Sequence, residues 1–300
     1  MPMPTDDSLV RYPDGTTACH GTVLVVTVSD DQSCVLTDQT PFHPVDPRWP
    51  DQGPDRGVLT FGSTTVQVID CVVGATDGDR LFVGDAVPVR RGEPGWGFVV
   101  VHVLAAGPAP EEGERAELTV DAEYRRQLSA GHTGCHVASL ALNFALADRW
   151  RKSVSLDGLG RPNFDQLAIV SSKIVPDGAV DCYRIGKSLR KKGFEVAGLG
   201  DALPEIAAAA NAVLAGWVAS AATVEVRVSG PRLTDLREWV CALPEGTVRI
   251  PCGGTHVNSL AELSSIRIGL AFDEAAGELM MTTSVDEVGC AGGLAQESGP

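Results

Sequence analysis

From the start of the chain to about residue 120, apolar and polar positions alternate with a period of two. Residues 22–28, 58–61, 64–73, 80–83, 86–89, 97–104 and 115–120 each read as strands, with Asp77-Gly78 and Glu93-Pro94-Gly95 supplying turns. Many short strands with turn signals predict a small antiparallel β-barrel. At Ala122 the pattern changes. Residues 124–151 lack proline and carry Leu128, His132, His136, Leu140 and Phe144 at helical spacing. A second helix is predicted over 204–219 and a third over 234–241, with strands near 247–250, 265–272 and 278–284. The predicted fold class is α+β. A β-barrel domain covers 1–121, a mixed α+β domain covers 122–290, and 291–300 form a loose C-terminal tail.

Composition narrows the function classes. The 300 residues hold 24 Lys+Arg against 39 Asp+Glu, a formal charge of −15. That balance excludes a generic nucleic-acid binder, because phosphate contacts need Lys and Arg. A phosphate-bearing partner would need a local basic patch. The eight cysteines (Cys19, Cys34, Cys71, Cys135, Cys182, Cys241, Cys252 and Cys290) are scattered over a chain large enough to build a core without staples. The first ten residues carry Asp6 and Asp7 and lack a basic-then-apolar layout, so a reduced, cytoplasmic setting is expected. Residues 206–224 are nearly uncharged, but they are Ala-rich and broken by Asn211, Gly216 and Ser220. A soluble helix is expected there, with no membrane contact.

Two short motifs carry the candidate chemistry. His132-Thr-Gly-Cys-His136 places two imidazoles at i and i+4, on one helical face and close enough to share a metal. Cys252-Gly-Gly-Thr-His256 repeats the spacing with a thiolate, and Gly253 and Gly254 permit a tight turn that turns both ligands inward. Three imidazoles and a thiolate suit Zn2+ better than magnesium or calcium. The predicted ligands are His132, His136, Cys252 and His256. Four protein ligands describe a closed site, whereas catalysis wants an open position, so the coordination number stays open at this level.

At these residues the sequence resembles a known family. Cys252-Gly-Gly-Thr-His-Val257 is similar to the CGGTHV signature of alanyl-tRNA synthetase editing domains and their free-standing AlaX-type relatives. His132-Thr-Gly-Cys-His136 is similar to their HTxxH helix. Residues 113–121 with Arg125 and Arg126 resemble the segment leading into that helix, and residues 204–211 resemble the family's helix with its Asn. Thr37 to Pro44 matches the D-x-T-x-F-Y/H-P strand, and Asp51 to Gly57 resembles the G-Q-x-x-D-x-G that follows it. The resemblance implies a zinc-dependent, trans-acting hydrolase of the ester between an amino acid and tRNA. It also implies substrate contacts from Gln52, Asp55, Thr133, Gly253, Gly254 and Thr255. Editing has a physical basis: one small group gives a synthetase only ~1–3 kcal/mol of discrimination, so a second sieve is needed.

One departure stands out. Where the family has a run of glycines, this chain has Val45-Asp46-Pro47-Arg48-Trp49-Pro50, stiff, bulky and charged. The substitution points to a pocket retuned away from Ser or Gly on alanine tRNA. The resemblance, to a family that includes a fluorothreonyl-tRNA deacylase, implies a threonine analogue such as fluorothreonine on threonine tRNA as the candidate substrate. Standard Ser/Gly-tRNA(Ala) editing is the nearest alternative. The charged tRNA would be met at its acceptor end by the basic stretch Arg184, Lys187, Arg190, Lys191 and Lys192, with Arg125 and Arg126 as a second contact. Cys135 lies on the His132 face and reads as a buried structural thiol. Two other classes compete. A cysteine hydrolase would use Cys252 as nucleophile and His136 or His256 as base. A non-catalytic module would use zinc only to hold the fold and would dock on RNA or a synthetase. The amino acid, the tRNA and the choice between monomer and homodimer are open at the level of sequence.

Overall fold

The computed structural model describes residues 3–29 and 32–288. Cys290, the end of the second predicted domain and the predicted tail 291–300 lie outside the described residues. The architecture is mixed α+β.

The N-terminal part contains β1 (Leu9–Val10), β2 (Ala18–Ser29), β3 (Gln32–Thr37), β4 (Gln39–Thr40), β5 (Gly57–Phe61), β6 (Thr64–Thr76), β7 (Leu81–Val83), β8 (Gly97–Leu104) and β9 (Arg115–Val120). Seven of these form one sheet in the order β5-β9-β2-β3-β8-β6-β7, and β5 also pairs with β6. Where the sequence predicts a barrel, the structure holds this sheet, with the β5–β6 pairing in addition. The 13-residue β6 makes that pairing feasible: its first half pairs with β5 and its second with β8, with a register shift between Val68 and Asp70. Alternation decides the inner face, so Ala116, Leu118 and Val120 of β9 are buried with Val23, Val35, Leu59, Val68, Val100 and Leu104. Two expectations need correction. Residues 86–89 form no strand; a 3-10 turn at Gly84–Ala86 precedes Pro88, which has no N–H to donate. Strand β3 went unpredicted because it opens on polar Gln32 and Ser33.

The C-terminal part opens with α1 (Ala122–Ala145), whose N-cap Asp121 accepts from the Tyr124 amide. It continues through α2 (Phe164–Ala168), β10 (Ile169–Val175), β11 (Gly178–Arg184), α3 (Lys187–Lys191), α4 (Leu199–Ala219), β12 (Val224–Val228), β13 (Arg237–Leu243), β14 (Gly246–Pro251), β15 (Leu263–Asp273) and β16 (Glu278–Glu287). Two antiparallel sheets result, β10-β11-β16-β15 and β12-β13-β14. Helix α1 packs across the first sheet. Gly131 permits the approach, since a Cβ there would come within 2.5 Å of the carbonyls of Val175 and Gly178. Helix α4 lies on β15 and α1, burying Leu199, Ile206, Ala210, Leu214 and Trp217. By length and composition alone α4 could also cross a membrane. Asn211 fastens it: its amide donates to Ile268 O at 3.0 Å and accepts from Ile268 N at 2.7 Å.

The predicted helix over 234–241 is corrected to a strand. Arg237, Trp239, Cys241 and Leu243 alternate inward on β13, which pairs on both sides. The helical reading would also have buried Leu236, which is exposed. Helix α4 begins five residues before the predicted Pro204, which sits inside it. Contacts near the two motifs help join the parts. Arg125 of α1 forms a buried ion pair with Asp55 and donates to Pro41 O at 2.8 Å. Ile174 N of β10 donates to Asp51 O at 2.7 Å, which sets the segment ahead of β5 beside α1.

Candidate metal centre

The two motifs meet. His132 and His136 project from one face of α1, and Cys252 and His256 come from the segment after β14. One ligand atom from each of the four lies within 4.8 Å of the others. Cys252 Sγ is 3.4 Å from His132 Nε2 and 3.3 Å from His256 Nε2. Tetrahedral zinc with nitrogen and sulfur ligands would place neighbouring ligand atoms about 3.3–3.7 Å apart. The three imidazole centroids are 4.4–5.1 Å apart, and Trp239, fully buried, lies 4.9 Å from the His136 ring.

A supporting layer orients the rings. Gln52 Oε1 accepts from His132 Nδ1 at 2.7 Å and from the Thr255 amide at 3.0 Å. With the proton on Nδ1, the His132 Nε2 lone pair is turned to Cys252. Gln52 Nε2 donates to Thr255 Oγ1 at 3.0 Å, and Ser129 Oγ donates to the same oxygen at 2.9 Å. Thr133 Oγ1 takes the Nδ1 side of His256 at 3.2 Å and accepts from Val257 N at 3.2 Å. Such partners fix tautomer and ring angle in metal sites.

The fit to a metal rests on this geometry and on one orphan. His136 Nε2 is buried and has no hydrogen-bond partner, which a ligand-to-metal bond would satisfy. Burial pushes His132 and His136 down to about 3 and holds His256 well below the usual imidazole range, so all three stay neutral near pH 7. Burial pushes the Cys252 thiol up to about 12. Without a nearby cation this thiol stays protonated; a cation at the centre would reverse that.

The other predicted residues divide. Gln52, Thr133 and Thr255 are buried around the ligands. Gly254 sits against them: a Cβ on it would overlap the His132 ring and lie 2.6 Å from Gln52 Oε1. A Cβ on Gly253 would meet nothing within 4 Å. Neither glycine is left-handed, so close approach, not turn freedom, accounts for Gly254. Asp55 is fully buried, and its side chain is held by Arg125 and the His43 amide. Arg125 is therefore withdrawn from solvent and is corrected as a tRNA contact; Arg126 pairs with Glu123 and Glu287. Cys135 turns to Ser172 and Asp181, 3.6 Å from each. Arg184, Lys187, Arg190, Lys191 and Lys192 are all exposed, on the end of β11 and around α3, and Arg184 pairs with Glu278. Sequence reasoning passed over Ser129, Trp239 and Asp51. Only Asp51 carried a signal, as an acid standing at a glycine position of the resembling pattern.

No protein-family model matches the chain. It is similar to the alanine–tRNA ligase of Nocardioides sp., 27% identical over 267 residues, covering 88% of this chain and 25% of the relative. The ligase of Frankia alni is 25% identical over 248 residues, covering 83% and 24%. That of Halorubrum lacusprofundi is 29% identical over 163 residues, covering 54% and 15%. The chain thus spans a quarter or less of the length of these relatives, and the alignments fall in their editing-domain region. By motif and by alignment, the chain is similar to the editing region of alanyl-tRNA synthetases, consistent with an AlaX-type family.

Proposed function

We propose that this chain is a metal-dependent aminoacyl-tRNA deacylase, which hydrolyses the ester of a mischarged or toxic amino acid on tRNA in the cytoplasm. The observation that carries the reading is the convergence of His132, His136, Cys252 and His256, with their rings oriented by Gln52 and Thr133. These four residues would hold Zn2+. When bound, zinc supplies Lewis-acid polarisation of a carbonyl and activation of water near neutral pH. The chain's own groups do the positioning. Gln52 keeps the His132 proton on Nδ1, Thr133 orients His256, and Trp239 packs against the His136 ring. Exposed Lys187, Arg190, Lys191 and Lys192 would meet phosphates, which supports weak, salt-sensitive binding to tRNA by an otherwise acidic protein.

A raised thiol pKa with neutral imidazoles around it counts against Cys252 as a free nucleophile. The orphaned His136 Nε2 is equally compatible with a purely structural zinc, so activity must separate the deacylase from a non-catalytic module. The finer substrate reading, a threonine analogue such as fluorothreonine, comes from the family resemblance; residues 45–50 support only a pocket that departs from the family's. That segment is pinned to β6 through Val45 N to Cys71 O at 2.8 Å, and it carries Trp49 to the rim of the centre. The test is a deacylation screen over seryl-, glycyl-, threonyl- and fluorothreonyl-tRNA, with zinc counted per chain. The reading expects near-stoichiometric zinc and release of at least one amino acid, lost in the Cys252→Ala/His256→Ala double variant. Tight zinc with every ester inert would favour the binding module.

A further inference from the structure

Asp51 occupies the first glycine position of the G-Q-x-x-D-x-G pattern, and its carboxylate is turned to the centre. Its Oδ2 lies 3.6 Å from His132 Nε2, and the side chain is only 21% exposed. Three contacts fix it there. Ile174 N donates to Asp51 O at 2.7 Å, Gln52 N donates to Oδ1 at 2.7 Å, and Trp49 Nε1 donates to Oδ2 at 2.9 Å. The Trp49 ring is otherwise 71% exposed, so its indole N–H is held inward by this bond. Asp55, the next carboxylate along the segment, is already neutralised by Arg125. Asp51, not Asp55, is thus the carboxylate of this segment that faces the centre.

Charge balance says what such an acid is for. A dication with one thiolate and three neutral imidazoles is a net positive centre. An aminoacyl ester carries a second positive charge, its α-ammonium, within two bonds of the carbonyl to be cleaved. Without a counter-charge the two would repel. We propose that Asp51, held by Trp49, binds the α-ammonium of the aminoacyl ester and restricts the substrate class to esters with a free amino group, sparing N-acylated and peptidyl esters of tRNA. This rests on the deacylase reading of the same site.

The test crosses one substitution with one substrate change. Wild type and Asp51→Asn are compared on the aminoacyl-tRNA that wild type hydrolyses fastest and on its N-acetyl form, with zinc counted in both proteins. In parallel, binding of 3′-amide-linked seryl- and threonyl-adenosine and of their N-acetyl forms is measured by calorimetry. Wild type should prefer the free amine by about 10- to 100-fold, the size of a hydrogen bond between charged partners. Asp51→Asn should bring that preference below about threefold with zinc content unchanged. A preference that survives in Asp51→Asn, or that wild type lacks, overturns the proposal. Loss of zinc from Asp51→Asn also overturns it, by making Asp51 a ligand. If no ester is hydrolysed, the deacylase reading fails, and the amide probes still decide the role of Asp51.

Discussion

Gly254→Ala isolates the packing of the centre in a single methyl group. A Cβ at this position would overlap the His132 ring and come within 2.6 Å of Gln52 Oε1, the atom that holds His132 Nδ1. Relief requires moving either a ligand or its orienting partner, and both are buried. Overpacking of this kind costs about 1–3 kcal/mol. A melting temperature should then fall by roughly 2–4 °C per kcal/mol for a chain of this size. Disturbing a ligand's orienting partner weakens metal binding by roughly 10- to 100-fold. Gly253→Ala is the built-in control: its Cβ meets nothing within 4 Å and its backbone is not left-handed, so its effect should stay within about 0.5 kcal/mol. Zinc affinity is read by competition with a chromophoric chelator, and stability by melts of the stripped and loaded proteins. Equal behaviour of the two variants, or a more damaging Gly253→Ala, would refute the reasoning and restore turn flexibility as the role of the glycine pair.

Further outcomes follow from other contacts. Gln52→Leu removes the acceptor for His132 Nδ1 and the donor to Thr255; zinc affinity should fall about 10- to 100-fold, and an unchanged chelator titration would contradict the orienting role. Arg125→Met strands the buried Asp55 carboxylate and should lose about 3–5 kcal/mol in urea unfolding, most of it recovered in Arg125→Met/Asp55→Leu. A loss below about 1 kcal/mol would show that the pair is not a buried bridge between the two parts. His102 is buried neutral, with Nδ1 donating to Val35 O at 3.0 Å and Nε2 accepting from Thr40 Oγ1 at 2.8 Å; burial pushes it down to about 4. Its folded value lies below its unfolded one, so the unfolded chain takes up the proton first as pH falls. The resulting stability is present above pH 6.5 and is lost toward pH 4. His102→Gln should flatten the acid limb of unfolding free energy against pH, and an unchanged limb would count against the burial argument.

The centre was the most legible part of the molecule. Spacing alone brought His132 with His136 and Cys252 with His256, because i,i+4 on a helix and a short glycine turn each fix a local distance. Nothing local could say that the two pairs meet; the resemblance supplied that. The supporting layer was harder to see. Gln52 and Asp51 reach the centre through the backbone of Ile174 on β10, 122 and more residues away in sequence, and Ser129 and Trp239 carry no pattern of their own. The fold was legible where alternation was clean, as in β9, or where an apolar run was unbroken, as in β8, and misread where a strand contained helix formers. Residues 237–243 are such a case: Arg-Glu-Trp-Val-Cys-Ala-Leu favours a helix locally, and the pairing of β13 on both sides overrides it. Arg125 shows the same limit for charge. In sequence it looks like half of a basic pair beside Arg126, yet Asp55 draws it into the interior.

The four-residue centre is proposed as the working part of an aminoacyl-tRNA deacylase. The most direct measurement is the rate of amino-acid release from charged tRNA, on the best substrate of the screen, against zinc bound per chain. The stripped protein should release nothing, and release should rise linearly, saturate at one zinc per chain and be absent from Cys252→Ala. Release that persists undiminished after zinc is stripped, or in Cys252→Ala, would contradict the deacylase reading.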